Sequence, residues 1–99
     1  MIYTVVFSDR SRKELEESWA WYEERQYGLG DRFSESILNV IEQIETNPDK
    51  GLSRNTRFKE AIVKTFPFLV IYRVDKKDKV IFIHSIFHCN RNPKGKYKA

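Results

Sequence analysis

The sequence predicts an α+β domain of order β-α-α-β-β-β, an N-terminal helical hairpin packed on a mainly antiparallel sheet. Three observations predict it. Two apolar stripes of helical period follow one another, separated only by Gly28-Leu29-Gly30. Two runs rich in β-branched and aromatic residues flank the charged turn Asp75-Lys76-Lys77-Asp78-Lys79. A short apolar run precedes the first helix, as an opening strand does.

Strand one covers Ile2 to Phe7. Ser8 and Asp9 are N-cap candidates, because a short side-chain oxygen accepts an orphan amide hydrogen of the first turn. Ser11-Arg12-Lys13-Glu14 has capping-box spacing. Leu15, Trp19 and Tyr22 fall at i, i+4 and i+7, so Trp19 and Tyr22 are expected in the core and Trp21, off the stripe, partly exposed. The helix should end near Tyr27-Gly28, where glycine tolerates a left-handed conformation. Asp31 is the expected cap of helix two, whose apolar face is Phe33, Ile37, Val40, Ile41 and Ile44. Asn47-Pro48-Asp49-Lys50-Gly51 stops it. Residues 49–56 read as a polar loop and Arg57 to Lys64 as strand two. Pro67 lacks a ladder donor and marks a turn or an edge. Strands three, Phe68 to Val74, and four, Val80 to His88, form a hairpin. Both its faces are apolar, so the one away from the helices needs cover from the tail, a subunit or a partner.

A chain of 99 residues suits one domain, 1–99. No apolar run reaches the ~18 residues of a membrane span, and Met1-Ile2-Tyr3-Thr4-Val5-Val6-Phe7 lacks the features of a signal peptide. Cys89 is the only cysteine, which excludes an intrachain disulfide and fits a reducing cytoplasm. The net charge of +4 hides an asymmetry. Residues 1–49 hold five basic residues against eleven acidic ones, net −6, and residues 50–99 hold thirteen against three, net +10. The second half suits an anionic partner: nucleic acid, a ribosome or an acidic protein.

The candidate phosphate- or target-binding residues are Arg57, Lys59, Arg73, Arg91, Lys94 and Lys96. Arginine offers a planar fork to phosphate, and histidine shuttles protons near neutral pH. His84 and His88 lie about 13 Å apart on a regular strand, with no acid or cysteine to complete a ligand set. No metal or other cofactor is expected. His84 reads as a half-buried sheet residue with a satisfied hydrogen bond. For His88 and Arg91, bracing of the strand end and a functional role stay open. Cys89 has no triad partner or oxyanion motif beside it, and the lysines of the charged turn read as solvated.

The Ser8-led helix with Trp19 and Tyr22, the Gly28 break, the stop at Asn47-Pro48, the run Phe66-Pro67-Phe68-x-x-x-Tyr72-Arg73-Val74 and the ending His88-x-x-Arg91-x-Pro93 resemble the RelE/ParE superfamily. These are the toxins of bacterial type II toxin–antitoxin, or plasmid stabilisation, systems. The likeness covers nearly the whole chain and looks closest to the ParE branch.

The resemblance implies a growth-inhibiting toxin neutralised by a cognate antitoxin encoded beside it, with an acidic binding segment that folds on the toxin. ParE-like action implies binding to DNA gyrase. RelE-like action implies metal-independent cleavage of messenger RNA on the ribosome, with His88, Arg91 and Tyr97 as catalytic candidates beside Arg57 and Lys59. The basic residue that RelE-type nucleases carry after the turn into strand three is replaced here by Pro67-Phe68, which favours the ParE-like reading. A non-toxic homologue serving as an interaction module is the third reading. A homodimer and a hetero-oligomer with the antitoxin both stay open.

Overall fold

The computed structural model describes residues 2–53 and 55–98. The order is β1 (Thr4–Phe7), α1 (Asp9–Arg25), α2 (Leu29–Thr46), β2 (Leu52–Ser53), β3 (Lys59–Ile62), β4 (Phe68–Asp75), β5 (Val80–His88) and a 3₁₀ turn at Pro93–Gly95. The five strands form one sheet in the order β1-β5-β4-β3-β2. All neighbours are antiparallel except β1 and β5, which are parallel. The predicted α+β class and helical hairpin are present. Two corrections concern the sheet. Strand two is confined to Lys59–Ile62, and a two-residue strand pairs with its start inside the segment expected to be loop. Two residues are too few to leave a periodic signal.

Ser8 caps α1, its Oγ accepting from Ser11 N at 3.0 Å. Glu14 does not complete a capping box; it faces β5 instead. After Arg25 the chain turns through Gly28 at φ 84°, and Gly28, not Asp31, is the N-cap of α2. Glu23, still on α1, accepts from Gly28 N and Gly30 N at 2.9 and 3.0 Å. One carboxylate thus satisfies two orphan donors and meets the positive end of the α2 dipole. A Cβ on Gly30 would lie 2.8 Å from the Trp19 carbonyl oxygen, so glycine permits the close approach of the helices.

The α2 face is as its period predicts: Phe33, Ile37, Val40, Ile41 and Ile44 are buried against Val70, Tyr72, Ile81, Ile83 and Ile86. Full burial of each large side chain stabilises by about 2 kcal/mol. Tyr22 packs half-buried against Phe33, Phe66 and Phe68. Trp19, expected in the core, is 37% exposed and donates Nε1 to Asp31 at 3.0 Å. The backbone of Gly30 occupies the space beneath it. Trp21 is 52% exposed. On the other face of the sheet, Phe58, Ile71 and Phe87 form a second buried cluster, with Leu69 and Tyr97 packed on it. The tail therefore supplies part of that cover.

The β1 ladder stops at Phe7, opposite Ile83, and α1 side chains then take over the edge of β5. Ser11 Oγ donates to the Ile83 carbonyl at 3.0 Å, and Ser8 Oγ to the His84 carbonyl at 2.8 Å. Glu14 Oε1 accepts from Ile86 N at 3.0 Å and from Ser85 Oγ at 2.7 Å. These bonds fall where β5 carries one extra residue, His84, between the pairs Ile71–Ser85 and Tyr72–Ile83. Such a bulge leaves strand groups unpaired; here α1 pairs them.

Candidate functional site

The predicted basic residues divide between two places. His88 and Arg91 line a cavity of 650 Å³ between α1 and the end of β5, with Arg10, Lys13 and Lys98 beside them. Arg57, Lys59 and Arg73 line a separate cavity of 320 Å³ at the turn leading into β3. Lys96 and Tyr97 line neither.

At the first place Arg91 Nη1 donates to Glu14 Oε2, and Arg10 Nε donates to the same oxygen at 3.2 Å. Glu14 is only 11% exposed, whereas Arg91 is 49% exposed. One carboxylate thus holds two arginines and the β5 edge, and both guanidiniums lie over the Phe87 ring, at 6.0 Å for Arg10 and 5.1 Å for Arg91. His88 Nδ1 accepts from Asn90 N at 3.0 Å, and its ring meets Phe68 edge-on at 4.9 Å. With the Nδ1 lone pair engaged, the neutral ring carries its proton on Nε2. His88 is set to donate to an anion rather than to take a proton from a nucleophile.

At the second place Lys59 Nζ donates to Ser53 Oγ at 3.0 Å, Arg73 lies 4.1 Å over Phe82 and Arg57 lies 5.6 Å over Phe58. Neither Arg57 nor Arg73 has a carboxylate partner among the described residues. Aromatic rings hold both guanidiniums while leaving their donors for a ligand.

The tail is docked. Tyr97 stacks on Phe58 at 5.4 Å and 3°, and its hydroxyl donates to Glu60, which is 5% exposed. Lys96 Nζ pairs with Glu60 at 3.1 Å. Lys94 makes no ion pair among the described residues. The His84 ring also packs against Phe58, at 4.5 Å. His84 is half-buried as expected, yet its Nε2 has no hydrogen-bond partner among the described residues. Burial, and then the charge of Arg10, holds its pKa below the ordinary value.

Glu14, Glu60 and Arg10 were not among the predicted site residues. Glu60 carried a legible signal: it is one of only three acids in the basic half and lies within an expected strand, where a carboxylate needs a cationic partner. Glu14 carried its i, i+4 spacing from Arg10, while its capping-box spacing pointed to a helix start rather than to a site.

Residues 5–93 match the profile of the family described as "ParE toxin of type II toxin-antitoxin system, parDE". The chain belongs to this family. It is a ParE-family toxin of the type II toxin–antitoxin class, and its fold is the one expected from the residue resemblance. Solved structures agree on the fold. The chromosomal ParDE toxin–antitoxin system of P. aeruginosa superposes with a TM-score of 0.72 at 15% identity, covering 88% of this chain and 96% of that one. The RelBE2 toxin–antitoxin complex of Mycobacterium tuberculosis gives 0.63 at 19% identity, covering 89% and 99%. The YoeB dimer of Staphylococcus aureus gives 0.61 at 17% identity, covering 89% and 98%. No curated protein sequence matches this ParE-family chain at significant similarity.

Proposed function

We propose that this ParE-family toxin arrests growth by binding DNA gyrase in the cytoplasm and is silenced by a cognate antitoxin in a hetero-oligomer. The observation that carries the non-enzymatic reading is the engagement of the groups a metal-independent ribonuclease would need. Arg91 is paired with Glu14, Tyr97 donates to Glu60, and the Nδ1 lone pair of His88 accepts from Asn90. Acid, base and phosphate-stabilising cation must converge on one reacting phosphate, and these three side chains are held by separate partners. Arg57, Lys59 and Arg73, with Lys94 from the tail, are the proposed target contacts. Their cationic, ring-supported surface suits an anionic protein or nucleoprotein face.

The antitoxin reading draws on the relatives, since the P. aeruginosa and M. tuberculosis structures are of toxin–antitoxin systems. The test is a gyrase supercoiling assay with purified toxin. Inhibition relieved by the antitoxin is expected; full gyrase activity in excess toxin rejects the reading. One observation favours the RelE-like alternative. Tyr97 stacks on Phe58, and Arg57 lies over the same ring, so two of that mechanism's candidate groups are neighbours. Cleavage of a translated transcript, lost in Arg57→Ala and Tyr97→Phe, would establish that alternative.

A further inference from the structure

We propose that the groove between α1 and the end of β5 is a docking site for an acidic peptide segment carrying one large apolar side chain. This deepens the partner half of the proposed function and is independent of the target. The cavity lined by Arg10, Lys13, His88, Arg91 and Lys98 adjoins a second of 410 Å³ lined by Trp21, Tyr22 and Phe68. Glu17, Ser18, Phe68 and His88 line both, so the two form one continuous groove.

Its ends differ in chemistry. At the cationic end, Lys13 and the Lys98 ammonium make no ion pair among the described residues. Arg10 Nη2 is buried with no hydrogen-bond partner among them. The single carboxylate Glu14 is shared by two guanidiniums, which leaves that end with excess positive charge. At the other end Trp21, 52% exposed, meets Tyr22 edge-on at 5.2 Å and carries Arg25 over its ring at 3.5 Å. An exposed tryptophan packed between neighbours at the mouth of an apolar recess is the kind of group that anchors a partner side chain. Charge complementarity selects the acidic flank, and the aromatic recess selects the apolar residue. Glu17 stands where the two ends meet and disfavours a continuous polyphosphate, whereas a peptide can place its acids at one end only.

The probe is a fluorescein-labelled decapeptide of Asp and Glu with one phenylalanine near an end, titrated with the full-length toxin by fluorescence anisotropy. Lys13→Glu and Trp21→Ala replace exposed residues, so folding is retained and circular dichroism verifies it. Each is expected to weaken binding about tenfold, as does changing the peptide phenylalanine to serine. Lys77→Glu, in the distant β4–β5 turn, is expected to bind as wild type. No binding by the wild type overturns the proposal, as does binding by Lys13→Glu and Trp21→Ala at wild-type affinity. So does displacement of the peptide by a single-stranded oligonucleotide at lower concentration than by unlabelled peptide. Gyrase inhibition is measured without peptide, so failure of the target reading is distinguishable from failure here.

Discussion

Glu14 and Arg91 lie 77 positions apart and form an ion pair. The carboxylate is nearly buried and has four donors; the guanidinium is half exposed. Their removal should therefore differ greatly in effect. Glu14→Ala strands the Ile86 amide, the Ser85 hydroxyl and two cations, and is expected to lower unfolding free energy by about 3 kcal/mol. Arg91→Ala is expected to cost less than about 1 kcal/mol. Urea denaturation of both variants checks the asymmetry, and similar losses would contradict it.

Tyr72 is fully buried, and its hydroxyl bridges the segment after α2, donating to the Pro48 carbonyl at 2.9 Å and accepting from Gly51 N at 3.0 Å. Tyr72→Phe leaves both backbone groups without this partner. A loss of about 1–3 kcal/mol is expected, read as a lowered urea midpoint at unchanged slope.

His84 gives the stability a pH dependence. Its pKa is depressed by burial and then by the charge of Arg10, which outweigh the opposing effects of the Lys98 carbonyl and Glu14; Arg57 adds a still smaller depression. The folded chain therefore prefers the neutral ring. This contribution is present above the unfolded value of 6.5 and is lost as pH falls through the lower folded value. Wild type should lose more melting temperature than His84→Gln between pH 7.5 and pH 5.5. Parallel losses would show that other groups dominate.

The helix contact at Gly30 leaves no room for a methyl group beside the Trp19 backbone. Gly30→Ala is expected to destabilise by about 1–3 kcal/mol through forced separation of α1 and α2. Thermal melting followed by tryptophan fluorescence reports both the loss and the displacement of Trp19.

Arg57 and Arg73 are held by rings rather than carboxylates, so reversing their charge disturbs little of the fold. The double variant Arg57→Glu/Arg73→Glu is expected to abolish growth arrest while its melting temperature stays within a few degrees of wild type. Persistent arrest would remove this surface from the target contact.

The legible parts of the sequence were those with local causes. The α2 face from Phe33 to Ile44 follows from period alone, and the β4–β5 hairpin from two apolar runs around a charged turn. Trp19 obeyed the same period and still lies outside, because its surroundings depend on how closely Gly30 lets the second helix approach. The division of the basic residues was not legible either. Arg91 and Lys96 are five positions apart in sequence, yet they are captured by carboxylates on different elements, Glu14 on α1 and Glu60 on β3. Such partnerships arise from topology, for which spacing carries no code.

The parallel pairing of β1 with β5 has a consequence for synthesis on the ribosome. Among the described residues the first strand finds its one sheet neighbour in residues 80–83, and Ser8, Ser11 and Glu14 find partners at residues 83–86. Contacts of such sequence separation form late. The nascent N-terminal half thus emerges with an open strand and an incomplete helix edge, and it closes only once β5 has left the exit tunnel.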